Sequence, residues 1–176
     1  MLSLGYTYDE LVAGFLCGKS EERGTYYDAF RNRVMFPIID LRGNVIAFGG
    51  RVMDDSKPKY INTSDTLVYK KSNGVFALNF AKSANEGKLI LVEGYMDVIA
   101  LHQAGFSNAI ACLGTAFTGE MAHLLARYAE EIILCYDNDE AGQKATTRAL
   151  GVLNSIGMKV RVVHLSGGKD PDEIIK

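Results

Sequence analysis

Between residues 88 and 165 the chain alternates short apolar runs with helical patterns, and this alternation constrains the fold more than any other feature. Residues 88–92, 109–113, 132–136 and 160–165 are strand-length runs rich in Leu, Ile and Val. Helical spacing occupies residues 95–104, closed by Gly105, and a stretch that starts at an N-cap on Thr118 and runs to about residue 129. A third helix is expected over 140–156, closed by Gly157. Strands separated by helices of this length pair in parallel through right-handed crossovers. Strands apolar along their whole length suit a sheet covered on both faces. The expectation is an α/β unit with a parallel four-stranded sheet flanked by helices.

The first half has a different texture. Thr7 and Glu10 have capping-box spacing, and Leu11, Val12, Phe15 and Leu16 follow at helical spacing with Gly18 as a stop. Residues 34–40 read as a strand in which Pro37 implies an edge or a bulge. A turn over 41–44 leads to a returning strand over 45–53, and two short extended runs follow at 59–62 and 75–78. This predicts a smaller mixed α+β subdomain with antiparallel strands over residues 1–84, then the parallel-sheet subdomain over 85–176. The boundary falls near 83–87.

Charge divides along the same line. The whole chain of 176 residues carries a formal charge of −2. Residues 1–84 hold 11 Lys and Arg against 9 Asp and Glu, whereas residues 85–176 hold 8 against 12. With 48% hydrophobic and 23% charged residues, the chain has the composition of a globular protein rather than a disordered tail. It has no apolar run of about 18 residues, and its first ten residues lack the basic start and apolar stretch of a signal peptide. It reads as a cytoplasmic protein with no membrane partner. Cys17, Cys112 and Cys135 are odd in number and form no CxxC pair, so reduced thiols are expected rather than a disulfide framework or a structural zinc site.

In a parallel sheet, ligands bind outside the carboxyl ends of the strands. Here the first strand ends in Glu93-Gly94-Tyr95-Met96-Asp97, the third in Asp137-Asn138-Asp139-Glu140, and the fourth in a loop that reaches Asp170-Pro171-Asp172. Each acid alone could be a helix cap. Glu93, Asp97, Asp137, Asp139, Asp170 and Asp172 together would repel one another unless a cation joins them. An all-oxygen donor set fits a hard divalent ion, Mg²⁺ or Mn²⁺, rather than zinc, and His102, His123 and His164 read as structural. Gly94 would permit a sharp turn or a close ligand, and Gly114-Thr115-Ala116 after the second strand could present free N–H groups to an anion.

Two other motifs mislead. Gly14 to Ser20 is one residue short of a P-loop and follows a helix instead of a strand, and Gly49-Gly50-Arg51 opens no helix. The basic half offers more. Arg31, Arg33, Arg51, Lys57, Lys59, Lys70 and Lys71, with Tyr60 and Tyr69 among them, suit a single-stranded nucleic acid track.

The run Glu93-Gly94-Tyr95-Met96-Asp97-Val98, then Asp137-Asn138-Asp139, then Asp170-Pro171-Asp172 resembles the three acidic motifs of the TOPRIM fold. That first motif is similar to the form found in bacterial DnaG-type primases. So are Phe30-Arg31-Asn32-Arg33-Val34-Met35-Phe36-Pro37-Ile38, Phe48-Gly49-Gly50-Arg51 and Pro58-Lys59-Tyr60-Ile61-Asn62. The resemblance covers about residues 23–176. It implies DNA-templated synthesis of RNA primers by two-metal phosphoryl transfer with Mg²⁺ or Mn²⁺. It makes Glu93, Asp137 and Asp139 the principal catalytic, metal-binding acids and Asp97, Asp170 and Asp172 supporting ones. Arg31, Arg33, Arg51, Lys59, Asn62 and Lys71 become contacts to nucleic acid or nucleotide. The implied partners are a single-stranded DNA template, ribonucleoside triphosphates and, through a separate domain, the replicative helicase. The zinc-binding cysteines and the helical extension of the family's core have no counterpart here, and Asn62-Thr63-Ser64-Asp65-Thr66 differs from the commoner Asn-Ser-Pro-Glu-Thr. The chain therefore reads as a piece of the catalytic core. A TOPRIM nuclease, a non-catalytic recombination-mediator module and a response-regulator-like domain are the competing readings.

Overall fold

The computed structural model describes residues 1–84, 87–114 and 116–175. The chain forms two compact units, Met1–Pro37 with Val45–Lys70, and Ile38–Asn44 with Lys71–Lys176.

In the first unit, helix α1 spans Tyr8–Ala13. The predicted capping box is present: Glu10 N–H donates to Thr7 Oγ1 at 3.2 Å and Thr7 N–H donates to Glu10 Oε2 at 2.8 Å. The helix stops short of the expected Gly18. Phe15 adopts φ 58°, which no helix tolerates, and the chain turns into strand β1, Cys17–Ser20. Strand β1 pairs antiparallel with β2, Thr25–Asp28, a hairpin absent from the sequence expectation. Gly18 lies opposite Tyr27, and the Tyr27 ring occupies the space a Cβ would need. Tyr26 stacks on Tyr8 with ring centroids 4.1 Å apart.

Strands β3 (Arg33–Ile39), β4 (Val45–Val52) and β5 (Tyr60–Asn62) form a three-stranded sheet in that order. Pro37 therefore lies on an edge strand, where a missing N–H costs no ladder bond. Thr63, only 2% exposed, clamps the far side by accepting from Phe48 N–H at 2.9 Å and donating to its carbonyl at 3.0 Å.

The second unit takes in the tip of the β3–β4 hairpin. Lys82 Nζ donates to the Leu41 carbonyl at 2.6 Å, and the Asp40 carboxylate shapes the turn by accepting from Arg42 N–H and Asn44 N–H, both at 2.8 Å. The chain then continues through β6 (Val75–Phe76), α2 (Leu78–Ala81), β7 (Lys88–Val92), α3 (Tyr95–Gln103), β8 (Ala109–Cys112), α4 (Gly119–Leu125), β9 (Glu131–Leu134), α5 (Glu140–Ser155), β10 (Lys159–Val162) and α6 (Pro171–Ile175). These strands make one sheet, ordered β10-β9-β7-β8-β6. The four expected strands are parallel, and β6 adds a fifth, antiparallel to β8. The extended run at 75–78 was foreseen; its end was not. Ala77 turns at φ 65° and starts α2 instead. His164, expected inside a strand, lies beyond the end of β10.

Leu89, Leu91, Ile110, Ile132 and Leu134 of the sheet are fully buried against Met121 and Leu125 of α4 and Ala149 and Leu153 of α5. Each large aliphatic side chain so buried contributes about 1.5–3 kcal/mol, which makes this the dominant core. The three cysteines are buried and unbonded to each other, as expected of reduced thiols. Among the described residues no helix is long and apolar enough to cross a membrane.

Topology fixes where a site can form. From β7 the chain crosses to β8 on one side, whereas from β9 it crosses to β10 on the other. Neighbouring strands β7 and β9 thus diverge, and a crevice opens above their carboxyl ends.

Candidate active site

The two strands at this divergence deliver Glu93 and Asp137. Glu93 Oε1 accepts the Asp137 backbone N–H at 3.1 Å, a bond that joins residues 44 positions apart across the switch point. The first turn of α5 presses against the same spot. A methyl group on Gly142 would collide with the Asp137 carbonyl oxygen and would come within 2.8 Å of Glu93 Oε1. Glycine in a helix normally costs stability, so its presence here answers a steric requirement. The sequence reading missed this residue.

Three further acids each satisfy a local backbone group with one oxygen, and Asp172 lies in the first turn of α6. Asp97 Oδ2 accepts from Gly94 N–H at 3.1 Å, Asp139 Oδ1 from Gly142 N–H at 2.9 Å, and Asp170 Oδ1 from Glu173 N–H at 2.8 Å. Helix capping is thus real at all three, as the bland reading of each acid held. It does not exhaust them, because a carboxylate has a second oxygen and about four lone-pair directions. Gly94 itself is extended at φ −140°, so neither a sharp turn nor a left-handed backbone is its reason for being glycine.

Electrostatics show that the acids share one neighbourhood. Burial pushes the Asp97 carboxyl up to about 6, and Asp170, Asp172 and Glu93 push in the same direction, against the Gly94 N–H. Burial raises Asp137 to about 7, reinforced by Glu93, Asp97, Asp170 and Asp139. Asp139 goes the other way. The Gly142 N–H holds it below the usual carboxylate range, and Lys169 Nζ stands 3.7 Å away. The Cys135 thiol, buried beside Asp97 and Asp137, is pushed up to about 11. Asn138 ties the β10–α6 loop to the site: its backbone N–H donates to the Lys169 carbonyl at 2.9 Å, and its side-chain Nδ2 to the Leu165 carbonyl at 3.4 Å.

Among the described residues no group of three or more His, Cys, Asp or Glu side chains already stands in a metal-holding geometry. The donor chemistry fits a hard divalent ion, since every converging side chain offers carboxylate oxygen.

Beside Glu93 lies a cavity of about 420 Å³, floored by Val92, Cys112, Phe117 and Tyr136 and rimmed by Lys144 and Arg148 of α5. Gly114 borders it in the left-handed conformation, at φ 68°. Of the anion-facing turn expected at 114–116, Thr115 lies outside the described residues. Lys144 and Arg148 escaped the sequence reading. Their spacing of one helical turn, directly after the acidic motif, was the available signal.

The basic residues of the first unit have individual environments. Arg31 is exposed and lies over the Tyr27 ring, 5.6 Å from its centroid, and Arg51 lies 5.9 Å from that of Tyr60. Lys59 is exposed, with Lys57 and Arg51 beside it around a separate hollow. Arg33 is engaged internally. Its guanidinium donates to the carbonyls of Gly50 at 3.1 Å, Lys59 at 3.3 Å and Pro58 at 2.9 Å. Gly50 makes room for this, since a Cβ there would stand 2.8 Å from the Phe30 ring and 3.0 Å from Arg33. Asn62 lies in β5, and Lys71, in a short 3-10 turn at Lys71–Asn73, belongs to the second unit.

Residues 2–82 match the family described as DNA primase catalytic core, N-terminal domain, and residues 90–175 match a Toprim-like family. The chain is 49% identical over 178 residues to a DNA primase of Clostridium acetobutylicum, aligning over 100% of its own length and 29% of that protein's. A crystal structure of a DNA primase domain from Pseudomonas aeruginosa superposes with a TM-score of 0.89 at 43% identity, over 99% of this chain and 55% of that one. A DnaG primase catalytic domain bound to ssDNA superposes with a TM-score of 0.88 at 37% identity, over 99% and 56%. With the sheet topology, the acidic motifs and both halves of the chain in agreement, the chain belongs to the DnaG-type primase family and corresponds to part of its catalytic core.

Proposed function

We propose that this chain carries the nucleotidyl-transfer site for RNA primer synthesis on a single-stranded DNA template. The observation that carries this reading is the convergence of Glu93, Asp97, Asp137, Asp139 and Asp170 at the switch point, with Asp97 and Asp137 raised first by burial and then by the charge of the neighbouring acids. Glu93, Asp137 and Asp139 are the principal acids, and Asp97, Asp170 and Asp172 support them. Divalent ions held there, Mg²⁺ or Mn²⁺, would neutralise the triphosphate and favour attack by the primer's 3′-hydroxyl.

The chain's own residues have definable tasks. The Glu93 bond to Asp137 N–H fixes the spacing of the two strand ends. The backbone bonds to Asp97 and Asp139 orient one oxygen of each and leave the other for a ligand. Arg31, Arg51, Lys59, Asn62 and Lys71 contact template or nucleotide phosphates. Arg33 holds the carbonyls of Gly50, Pro58 and Lys59 in place. That a solved structure shows a DnaG primase catalytic domain bound to ssDNA supports the template assignment.

Titration of the chain with MnCl₂ tests the site. The parent chain should take up Mn²⁺, and Glu93→Gln and Asp137→Asn should each weaken uptake at least tenfold while circular dichroism stays unchanged. In a primase containing this core, Asp137→Asn should lower primer synthesis by about a hundredfold or more, the usual cost of removing one preorganised electrostatic group. Absence of binding at millimolar Mn²⁺, or unchanged synthesis, would refute the assignment. Cleavage of labelled single-stranded DNA without extension would favour the nuclease reading.

A further inference from the structure

Lys169 brings a cation to the acidic strand ends, and its setting differs from that of an ordinary surface lysine. Its backbone is fixed from both sides. The Lys169 carbonyl accepts from Asn138 N–H at 2.9 Å, and the Lys169 N–H donates to Glu173 Oε2 at 2.8 Å. The preceding Gly168 lies so close to α6 that a Cβ there would stand 2.7 Å from Ile174 Cγ1. The side chain is left free. It is 58% exposed, and its ammonium stands 3.7 Å from Asp139 Oδ2. That distance is too long for a hydrogen bond, so the two groups meet as solvent-screened charges. Asp139 Oδ1 is occupied by the Gly142 N–H. Lys169 therefore faces the one oxygen of Asp139 that the helix cap leaves for a ligand.

A hard divalent ion seeks the same carboxylate oxygen, and two cations at one oxygen repel each other. We propose that Lys169 is a resident counter-ion that competes with the divalent ion for Asp139 Oδ2 and so sets the metal concentration at which the site fills. This rests on the metal-binding reading of the acids and adds to it a residue that tunes their affinity without being a ligand. The fixed backbone keeps the ammonium within reach of Asp139, and its long flexible stem lets it swing into water when an ion arrives. The two consequences differ in sign. Without metal, Lys169 relieves crowding around Asp137, which Asp170 and Asp139 both repel. With metal, the same charge opposes the incoming ion.

The test pairs calorimetric titration of the full chain with MnCl₂ and urea denaturation in EDTA. Lys169→Gln should take up Mn²⁺ about fivefold more tightly than the parent, the scale of an exposed charge contact, and should have a lower urea midpoint in EDTA. Lys169→Arg keeps the charge and should match the parent in both measurements. In an Asp139→Asn background, Lys169→Gln should change Mn²⁺ uptake less than twofold, because the contested charge is gone. A lysine that only braces the loop would give a different pattern, with Lys169→Gln weakening Mn²⁺ uptake and stability together. Uptake by Lys169→Gln equal to or weaker than the parent's overturns the competition and leaves the metal site standing. A full fivefold effect in the Asp139→Asn background overturns Asp139 as the contested ligand. If neither the parent nor Lys169→Gln takes up Mn²⁺, the metal-binding reading falls and the competition falls with it.

Discussion

The two ends of the parallel sheet treat acidic side chains in opposite ways. At the amino end, Glu131 is the first residue of β9, and its side chain is only 4% exposed. It is answered from the neighbouring strand by Arg161 at 3.0 Å and Lys159 at 3.6 Å, so its charge is closed within the fold. At the carboxyl end, buried Asp97 and half-buried Asp137 are raised by desolvation and further by the other acids around them. Lys169, placed at Asp139, offsets that crowding only in part. The amino end uses its acid to hold β9 against β10. The carboxyl end accepts a repulsive arrangement, of the kind that clusters at functional sites.

The sharpest way to break this contrast is steric. Gly142→Ala would drive a methyl into the Asp137 carbonyl and toward Glu93. Helix α5 would have to lift away from the strand ends, at a cost of about 3 kcal/mol, the upper part of the range for overpacking. Urea denaturation should show that loss, and Mn²⁺ uptake should fall with it. The same substitution at Gly151, farther along α5, meets no atom within 4 Å and should be neutral or slightly stabilising. Equal stability for the two variants would mean that the close packing of α5 does not hold the acids in place.

That packing marks the limit of what the sequence could disclose. The parallel strands were legible because their apolar runs are continuous, and Leu89, Leu91, Ile110, Ile132 and Leu134 prove fully buried. Thr7, Thr118 and Asp139 were legible as caps because their side chains act on residues three positions away. The hairpin of β1 and β2 was hidden. Gly18, Lys19 and Ser20 are poor strand formers, and the void over Gly18 is filled by Tyr27 from the other strand. The early end of α4 at Leu125 was also hidden, since its last backbone turn tightens, with Tyr128 N–H donating to the Leu125 carbonyl at 2.9 Å. At the site, the acids could be found from their order along the chain. Gly142, the Glu93 bond to Asp137 and the cavity rim could not, because each depends on how closely α5 approaches β7 and β9.

A second contrast in sign should separate the two sheet ends. Glu131→Gln removes a charge that the fold has paired, so the protein should lose about 2 kcal/mol, as for charge-assisted bonds. Glu93→Gln removes a charge that its neighbours oppose, while the amide oxygen can still accept from Asp137 N–H. The metal-free protein should then become more stable, and the stabilisation produced by added Mn²⁺ should disappear. Destabilisation by both substitutions in metal-free buffer would show that the carboxyl-end acids are structural.

The smallest effect expected is a dependence of metal-free stability on pH. Asp97 and Asp137 bind protons more tightly in the folded protein, at about 6 and about 7, than in an unfolded chain, where an aspartate titrates near 3.9. Their contribution to stability is therefore fully present below pH 4 and is lost as pH rises toward 7, opposite to the behaviour of salt-bridged carboxylates. Asp137 is half-buried, so solvent screens part of the repulsion and the slope will be shallow. Asp139, Asp40 and Glu10, whose carboxyls are held low by hydrogen bonds, pull in the other direction below pH 4. Urea midpoints measured between pH 5 and pH 8 should fall with rising pH in EDTA, and much less so in Asp137→Asn. With saturating Mg²⁺ the trend should flatten or reverse, because the ion takes the place of the protons and expels them. A metal-free midpoint that rises across the same interval would mean that Asp97 and Asp137 carry no excess repulsion, and the electrostatic difference between the two ends of the sheet would be lost.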